Sequence, residues 1–432
     1  MQTKWGMLAL CFVGVLINYI DRTNFSLGAP LMARELGFSP ATTGLLLGAF
    51  FWLYTVMLLP IGYLMDRFGV RRIYPSAMIF WSLASAATAF GQGVVSIFTC
   101  RLLMGGGEAA SWPANAKVVS RWFPRQQRGT ATSLWHAGIG IGSAVSYPFV
   151  ALLIANYGWR ASFVITGLIG VVFGLIWFAV YRDPVTEPED AAIGTPALAA
   201  ERDDDESATW WSLLRQKTVL GLAIGFFFVN VINSFFLLWF PLYLMDARGF
   251  SLKQIATVGA LPSVSAILGG LLGGVVADWL YKRGWSLTAA RKTCLVGGLA
   301  ASSLIAPAAM TPDIPLAITL FCIAYAGIAF TSSNLQALPP EVAPRPNLVG
   351  TVAAIQTVGG TVAGITSSWL IGVVVQINQG SYVAPILAVS ACALLGALNY
   401  LFMVGRIGKD DGRTGTQPLT PVTLSPGTAT RP

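Results

Sequence analysis

The sequence predicts an all-α membrane protein with twelve transmembrane helices, arranged as two six-helix lobes related by a pseudo-two-fold axis. Three observations predict this class: the composition, the number of apolar runs and an internal repeat. Of the 432 residues, 55% are apolar and only 11% are charged, and the mean hydropathy is +0.66. Soluble domains contain about 25% charged residues. The chain is therefore expected to cross a membrane many times.

Twelve runs are long enough to span a bilayer, which needs about 20 mostly apolar residues in a helix. Helices are the expected spanning elements because each satisfies its own backbone hydrogen bonds in lipid. We number the predicted crossings span 1 to span 12 in chain order. Spans 1 to 6 cover residues 6–27, 43–63, 73–92, 97–120, 130–154 and 162–181, and spans 7 to 12 cover 218–245, 256–280, 292–310, 314–338, 348–376 and 382–404.

Two polar segments divide the chain. Residues 182–217 are rich in Pro, Ala and acidic residues without an apolar period, which is typical of a flexible linker. Residues 405–432 are rich in Thr, Pro and Gly and are expected to form a disordered tail. The expected domains are thus an N-terminal lobe of residues 1–181 and a C-terminal lobe of residues 218–404, with a cytoplasmic linker and tail.

The internal repeat relates these two lobes. The stretch "GYLMDRFGVRR" follows span 2, and a weaker echo, "GGVVADWLYKRG", follows span 8. Aligning Gly62 with Gly274 also aligns Asp66 with Asp278, at an offset of 212 residues in both cases. A repeat that returns after six spans in the same orientation predicts two parallel lobes.

The distribution of basic residues predicts the orientation of the chain. With both termini inside, twenty Lys and Arg residues fall in inner segments and four in outer loops. Basic residues concentrate on the cytoplasmic side of membrane proteins, so both termini are expected to be cytoplasmic, in an inner or plasma membrane. The formal charge of +8 then needs no nucleic-acid partner. Five scattered cysteines and one histidine suggest no disulfide, metal site or cofactor.

The repeated stretch resembles the signature between spans 2 and 3 of the major facilitator superfamily. We interpret it as a conformational latch, in which an acid meets a helix N-terminus and the arginines meet carbonyl ends or acids across the interface between lobes. The latch residues are Gly62, Asp66, Arg67, Gly69, Arg71 and Asp278.

Three further stretches resemble the anion:cation symporter branch of that superfamily: "NYIDRTNFSLGAP", "RLLMGGGEAASWPANAKVVSRWFPRQQRG" and "WFPLYLMDARGF". This branch includes bacterial sugar-acid, tartrate and aromatic-acid permeases and the animal sialin and vesicular glutamate transporters. The resemblance implies that Asp21 and Glu108 both take part in proton coupling. It also implies that Arg22 binds the substrate anion.

Charged residues at membrane depth are costly and usually functional. Arg101 and Glu108 are about 10.5 Å apart along their helix, so each is expected to pair with span 1. Matching depths predicts the pairs Asp21 with Arg101 and Arg22 with Glu108, with a net charge of zero. We hypothesise that a carboxylate arriving at Arg22 displaces Glu108, which then takes a proton. The alternative is a buried network that only holds two helices together.

Polar residues at similar depth are candidates for the substrate cavity. Tyr19 and Tyr54 match positions that contact substrate in the family. Asn233 replaces Asp21 in the repeat, and the second arginine that some dicarboxylate-handling relatives use there is missing, which favours a substrate with one carboxylate. The positions that read hydroxyls in sugar-acid members hold Ile139, Gln336 and Gly360, so an aromatic or short hydroxy acid is as credible as a sugar acid. The remaining cavity candidates are His136, Asn230, Ser333, Asn334 and Gln356.

The expected function is proton-coupled symport of a small organic acid anion by alternating access. A proton-independent exchanger or facilitator is the alternative within transporters, and a membrane sensor of carboxylates is the alternative from another class. No metal or nucleophile constellation suggests an enzyme. The expected partners are the anion, protons and the bilayer, and a monomer would suffice.

Overall fold

The computed structural model describes residues 4–182, 184, 213–345 and 348–407, and its regular elements are all helical. Ten of the described helices are long and apolar enough to cross a membrane. Twelve crossings result when the continuous helix Arg125–Val180 is divided at Gly158 and when Val94–Glu108 and Ser111–Trp122 are counted as one crossing. The predicted fold class is confirmed for this part of the chain.

The helix bounds extend several of the predicted spans. Spans 1 to 3 are Lys4–Leu36, Pro40–Phe68 and Val70–Ala87, the last followed by a 3-10 turn at Thr88–Phe90. Span 4 consists of Val94–Glu108 and Ser111–Trp122, and spans 5 and 6 form Arg125–Val180. Span 7 consists of Lys217–Ser234, a π-helical segment Phe235–Trp239 and Phe240–Asp246.

The remaining crossings follow the same pattern of long helices with occasional breaks. Span 8 consists of Leu252–Val258 and Leu261–Lys282, and span 9 of Leu287–Ser302 and Ile305–Met310. Span 10 is Ile314–Gln336, with a short helix Leu338–Val342 after it, and spans 11 and 12 are Val349–Ile377 and Val383–Phe402. Most of the predicted linker and tail lies outside the described residues.

Turn chemistry explains how neighbouring spans connect. Ser39 caps span 2 by accepting a hydrogen bond from the backbone N of Thr42 at 3.2 Å, and Pro40 occupies the first helical position. Gly69 joins spans 2 and 3 at φ 80°, and Gly158 separates spans 5 and 6 at φ 81°. Side chains with a Cβ rarely adopt this left-handed region, so glycine is needed at both turns.

Span 4 departs from the continuous helix that was predicted over residues 97–120. Its outer half ends at Glu108, and a new helix begins at Ser111. Pro113 has no backbone N–H and cannot bond the carbonyl four residues earlier, which weakens the helix here. Glu108 therefore lies at the last helical position of the outer half.

The two lobes pack most closely where spans 2 and 11 meet. A Cβ added to Gly44 would lie 2.4 Å from the carbonyl oxygen of Ser368, and one added to Gly372 would lie 2.3 Å from that of Pro40. Only a hydrogen fits at these positions, so glycines allow the two backbones to approach each other.

Five polar contacts between the lobes lie toward the predicted outer end. Spans 1 and 7 are joined by Arg34 Nη2, which pairs with Asp246 Oδ1 at 2.8 Å, and by Ser26 Oγ, which donates to Leu238 O at 2.8 Å. Tyr147 OH of span 5 donates to Phe236 O at 3.2 Å, and Ser263 Oγ lies 3.5 Å from Ser143 Oγ. Ala41 N donates to Gln376 Oε1 at 3.3 Å. The lobes are thus joined at the predicted outer end and separate toward the predicted cytoplasmic end.

Two of these contacts end on carbonyls of the π-helical segment of span 7. In the i to i+5 pattern of a π-helix the residue facing the Phe236 carbonyl is Pro241, which has no N–H. The Phe236 carbonyl accepts a hydrogen bond from Tyr147, and the Leu238 carbonyl accepts one from Ser26. This local irregularity gives span 7 acceptors for the opposite lobe.

Candidate functional site

A buried ion pair between spans 1 and 4 is the centre of the candidate site. Arg22 Nε donates to Glu108 Oε1 at 2.9 Å, and their side chains are 13% and 0% exposed, respectively. This is the pair that depth matching predicts. Because Glu108 is fully buried and Arg22 is mostly buried, removal of one charge leaves the other largely buried and unpaired.

Aromatic rings surround the guanidinium of Arg22. Its Cζ lies 4.7 Å from the ring centroid of Phe50, 5.5 Å from that of Tyr19 and 5.9 Å from that of Tyr54. Aromatic faces attract cations, most strongly where water is excluded. Tyr19 and Tyr54 are thus brought to the same arginine, as the family positions imply.

Uncharged polar groups surround Glu108. Ser111 Oγ donates to Asn18 Oδ1 at 2.7 Å, which turns the Asn18 amide nitrogen toward Glu108. Neither Asn18 Nδ2 nor Glu108 Oε2 has a hydrogen bond of standard geometry among the described residues. The second carboxylate oxygen is therefore close to a donor but not fixed by it.

The second predicted pair, Asp21 with Arg101, does not form. Asp21 Oδ1 accepts a hydrogen bond from Ser85 Oγ of span 3 at 3.2 Å. The Arg101 guanidinium instead lies 4.1 Å from the ring centroid of Phe25, and its Nη1 contacts Met104 Sδ at 3.3 Å. Asp21 points toward span 3, and Arg101 packs one turn further out along span 1, so depth matching fails for this pair.

Close helix packing keeps the acids dry. A Cβ on Gly105 would lie 2.0 Å from the carbonyl oxygen of Phe50, and one on Gly107 would lie 2.9 Å from Trp81 Cβ. The glycines before Glu108 thus bring span 4 against spans 2 and 3. Asp21 Oδ2 and Glu108 Oε2 are both buried carboxylate oxygens without a standard hydrogen bond, so each can accept a proton without breaking one.

The other cavity candidates divide into two groups. His136 packs beside Trp112, and the Asn230 side chain lies near Gly360. Asn233 is partly buried in span 7, whereas Gln336 is exposed at the end of span 10. A second group is engaged inside the C-terminal lobe, where Ser333 Oγ donates to Gly270 O, Asn334 Nδ2 to Gly273 O and Gln356 Nε2 to Leu335 O. The structure does not bring this second group to Arg22, because its donors already bind backbone carbonyls of neighbouring spans.

Comparison with known proteins identifies the family of this chain. Residues 11–368 match the Major Facilitator Superfamily. The chain belongs to this family. A probable galactarate/D-glucarate transporter of Escherichia coli strain K12, GarP, is 32% identical over 427 residues, which cover 94% of this chain and 96% of that protein. A D-galactonate transporter of Escherichia coli O6:H1 strain CFT073 is 32% identical, with 94% and 96% of the two chains covered.

A solved structure supports the fold independently. The bacterial homologue of the human lysosomal transporter Spinster, in an inward-facing and unoccupied conformation, aligns with a TM-score of 0.76 at 19% identity, covering 93% of this chain and 97% of that one. At this identity the likeness concerns the fold alone. The predicted resemblance to the superfamily is confirmed, and the protein is a multi-pass membrane transporter rather than an enzyme.

The superfamily motif between spans 2 and 3 adopts an arrangement within one lobe. Asp66 forms an ion pair with Lys117 of span 4, and the Arg67 guanidinium lies 5.3 Å from the ring centroid of Phe68. Gly69 forms the turn, Gly62 faces open space, and Arg71 and Asp278 are exposed. The predicted contacts across the lobe interface are absent among these described residues, because the lobes are separated at this end. The latch role itself stays a prediction.

Four contributors to this geometry were missed from sequence: Asn18, Phe50, Ser111 and Lys117. A helical spacing rule would have found two of them, since Asn18 is four residues before Arg22 and Ser111 is three residues after Glu108, on the same helix faces. Phe50 and Lys117 carry no such signal, because their partners lie on other spans.

Proposed function

We propose that this transporter takes up a sugar-acid anion together with protons, by alternating access across an inner membrane with both termini in the cytoplasm. The buried Arg22–Glu108 pair carries the proposal. Similarity to a galactarate/D-glucarate transporter and a D-galactonate transporter supports the substrate class. A monomer contains the whole site.

The chemistry follows from exchange of partners at Arg22. A substrate carboxylate that binds the guanidinium takes the place of Glu108, and two acids cannot share one cation at low dielectric without a cost. Glu108 then binds a proton, which restores neutrality. One proton with a monoanion gives electroneutral transport, and a second proton on Asp21 carries net positive charge inward.

Alternating access requires the exchange of partners at Arg22 to change the contacts between the two lobes. Span 1 carries Arg22 at the site and also Ser26 and Arg34, which bond to span 7 nearer the predicted outer end. A change of partner at Arg22 thus acts on the same helix that joins the lobes. The proposed coupling is a shift in population between two lobe arrangements.

The experiment is uptake into proteoliposomes with and without an imposed pH gradient, inside alkaline. The panel contains D-galactonate, galactarate, a short hydroxy acid and an aromatic acid. We expect accumulation of a sugar acid that depends on the gradient, because protons enter with the anion. Equal uptake with and without the gradient would favour a facilitator or exchanger.

A substitution isolates the coupling role. Glu108→Gln removes the protonatable group with little change in shape, so it should abolish accumulation while leaving exchange of internal for external substrate. Glu35→Gln is the matched control, since Glu35 lies at the predicted outer end and bonds Trp159 and Arg160. Accumulation by the Glu108→Gln protein would show that this acid does not couple protons.

A further inference from the structure

The imidazole of His136 has no role in the proton coupling proposed for Arg22, Glu108 and Asp21. It is the only histidine in the sequence. Its ring packs against Trp112 of span 4, with centroids 5.0 Å apart, and against Trp135, with centroids 4.0 Å apart. Within the described part of the chain, neither ring nitrogen makes a hydrogen bond, and the side chain is partly exposed. Two aromatic walls thus hold a polar ring whose hydrogen-bonding capacity is available.

The face of span 5 that carries His136 points toward the opposite lobe. Gly140, one helical turn further out, meets span 8, where an added Cβ would lie 2.5 Å from Ile267 Cγ1. Gly138 and Gly142 instead meet span 1, at Phe12 and Tyr19. Residues four apart share a helix face, so His136 shares the face of Gly140 and not the face that packs on span 1.

The lobes part between Gly140 and His136. On span 8, Leu271 lies one turn from Ile267 toward the predicted cytoplasmic end and is 66% exposed. Gly274, further along, has no atom within 4 Å of an added Cβ. His136 therefore lies on the wall of the cleft between the lobes, one turn beyond the contact of Gly140 with span 8.

The cleft wall places three kinds of group in sequence. Arg22 is 13% exposed beside the buried Glu108, Trp112 is one turn beyond Glu108, about 6 Å along the axis, and His136 adjoins Trp112. A cation binds a carboxylate, an aromatic face packs against a carbon chain, and an imidazole hydrogen-bonds a hydroxyl as donor or acceptor. An extended sugar acid presents these groups in the same order.

We propose that His136 hydrogen-bonds the hydroxyl-bearing end of a sugar acid whose carboxylate is at Arg22, and that it selects for substrate length. This rests on the proposed function for the carboxylate end. A six-carbon acid reaches from Arg22 past Trp112 to the imidazole, whereas a three-carbon acid ends before it. His136 would then distinguish between acids that bind Arg22 with equal affinity.

The test compares two acids that differ in length, D-galactonate and glycerate, for binding to purified protein by calorimetry and for uptake. His136→Ala should weaken D-galactonate binding about tenfold, for the loss of one hydrogen bond, and should raise KM with little change in kcat. Glycerate binding should not change. Leu134→Ala, on an exposed position of the same span, is the control. His136→Gln keeps a donor and an acceptor and should recover part of the loss.

Binding data separate this proposal from the transport mechanism. If His136→Ala weakens both acids by the same factor, or leaves D-galactonate binding unchanged, the role in length selection is wrong. Glycerate binding shows whether each variant is folded. A wild-type protein that binds both acids but ignores the pH gradient contradicts proton coupling while leaving the selection by His136 measurable.

Discussion

At the scale of single residues, the proposed mechanism depends on Arg22 having two partners, Glu108 and a substrate carboxylate. In the structure its guanidinium is bonded to Glu108 and enclosed by aromatic rings. A buried pair of this kind contributes little net stability, since desolvation offsets most of the attraction. Its persistence in a transporter is better explained by exchange of Glu108 for a substrate carboxylate. The planar guanidinium can bind a carboxylate through two N–H groups.

Arg22→Lys tests the need for that geometry. Lysine keeps the charge but loses the planar fork and the stacking against Phe50, so substrate affinity should fall by about 10- to 100-fold, as for the loss of a hydrogen bond to a charged group. Calorimetric binding of D-galactonate measures this loss. Arg160→Lys, at an exposed ion pair with Glu35, is the matched control and should bind normally. Unchanged affinity in Arg22→Lys would move the anion site elsewhere.

Only part of the site's geometry could be predicted from the sequence. Depth along the helices gave the Arg22–Glu108 pair correctly, because both side chains face each other at one level. Depth alone failed for Asp21, which points around span 1 toward Ser85. It also failed for Arg101, which packs on Phe25. The direction in which a side chain points around its helix, and which other span it faces there, are not determined by the spacing of residues along one helix.

At the scale of helices, the apolar runs predicted the crossings, but the irregularities came from the structure. The π-helical segment before Pro241 lies inside an apolar stretch where periodicity carries no signal, and the break after Glu108 follows three consecutive glycines. Proline marks both places, yet a proline alone does not tell whether a helix kinks, breaks or widens. One irregularity lies at the candidate proton acceptor and the other at the contact between the lobes, in keeping with the frequent occurrence of π-helical turns at functional sites.

Gly44→Val tests the closed end of the bundle. The added side chain cannot fit, because even a Cβ would lie 2.4 Å from the carbonyl oxygen of Ser368. Spans 2 and 11 should therefore be held apart, and uptake should fall at least tenfold. Spin labels at the exposed positions 157 and 377, one in each lobe, should report a longer distance.

The control for this substitution is Gly297→Val, in span 9, where an added Cβ meets no atom within 4 Å. It should leave both the distance and the uptake unchanged. If Gly44→Val keeps the wild-type distance and rate, then close approach of these two spans is not part of the transport cycle.

At the scale of the whole molecule, the two lobes form a cleft that is closed at one end and contains the charged cluster in one lobe only. The N-terminal lobe supplies Asp21, Arg22, Arg101 and Glu108, whereas the matching positions of span 7 hold Asn233 and Ser234. This asymmetry was visible in the repeat. Which end is closed was not predictable from the sequence, since both lobe arrangements use the same residues.

The orientation of the molecule is a separate prediction from its basic residues. With twenty Lys and Arg residues in inner segments against four in outer loops, both termini should be cytoplasmic. Alkaline phosphatase fused after the last residue should therefore be inactive in a bacterial host, and a fusion after Phe250, in an outer loop, should be active. The opposite pattern would invert the direction of transport proposed for the cleft.

The most direct test of the central claim is proton movement driven by substrate. Proteoliposomes start with equal pH on both sides and a pH-sensitive dye inside, and D-galactonate is added outside. We expect acidification of the lumen by the wild-type protein and by Glu35→Gln, and none by Glu108→Gln. Substrate entry without acidification in the wild type, or acidification by Glu108→Gln equal to that of the wild type, would contradict the central claim.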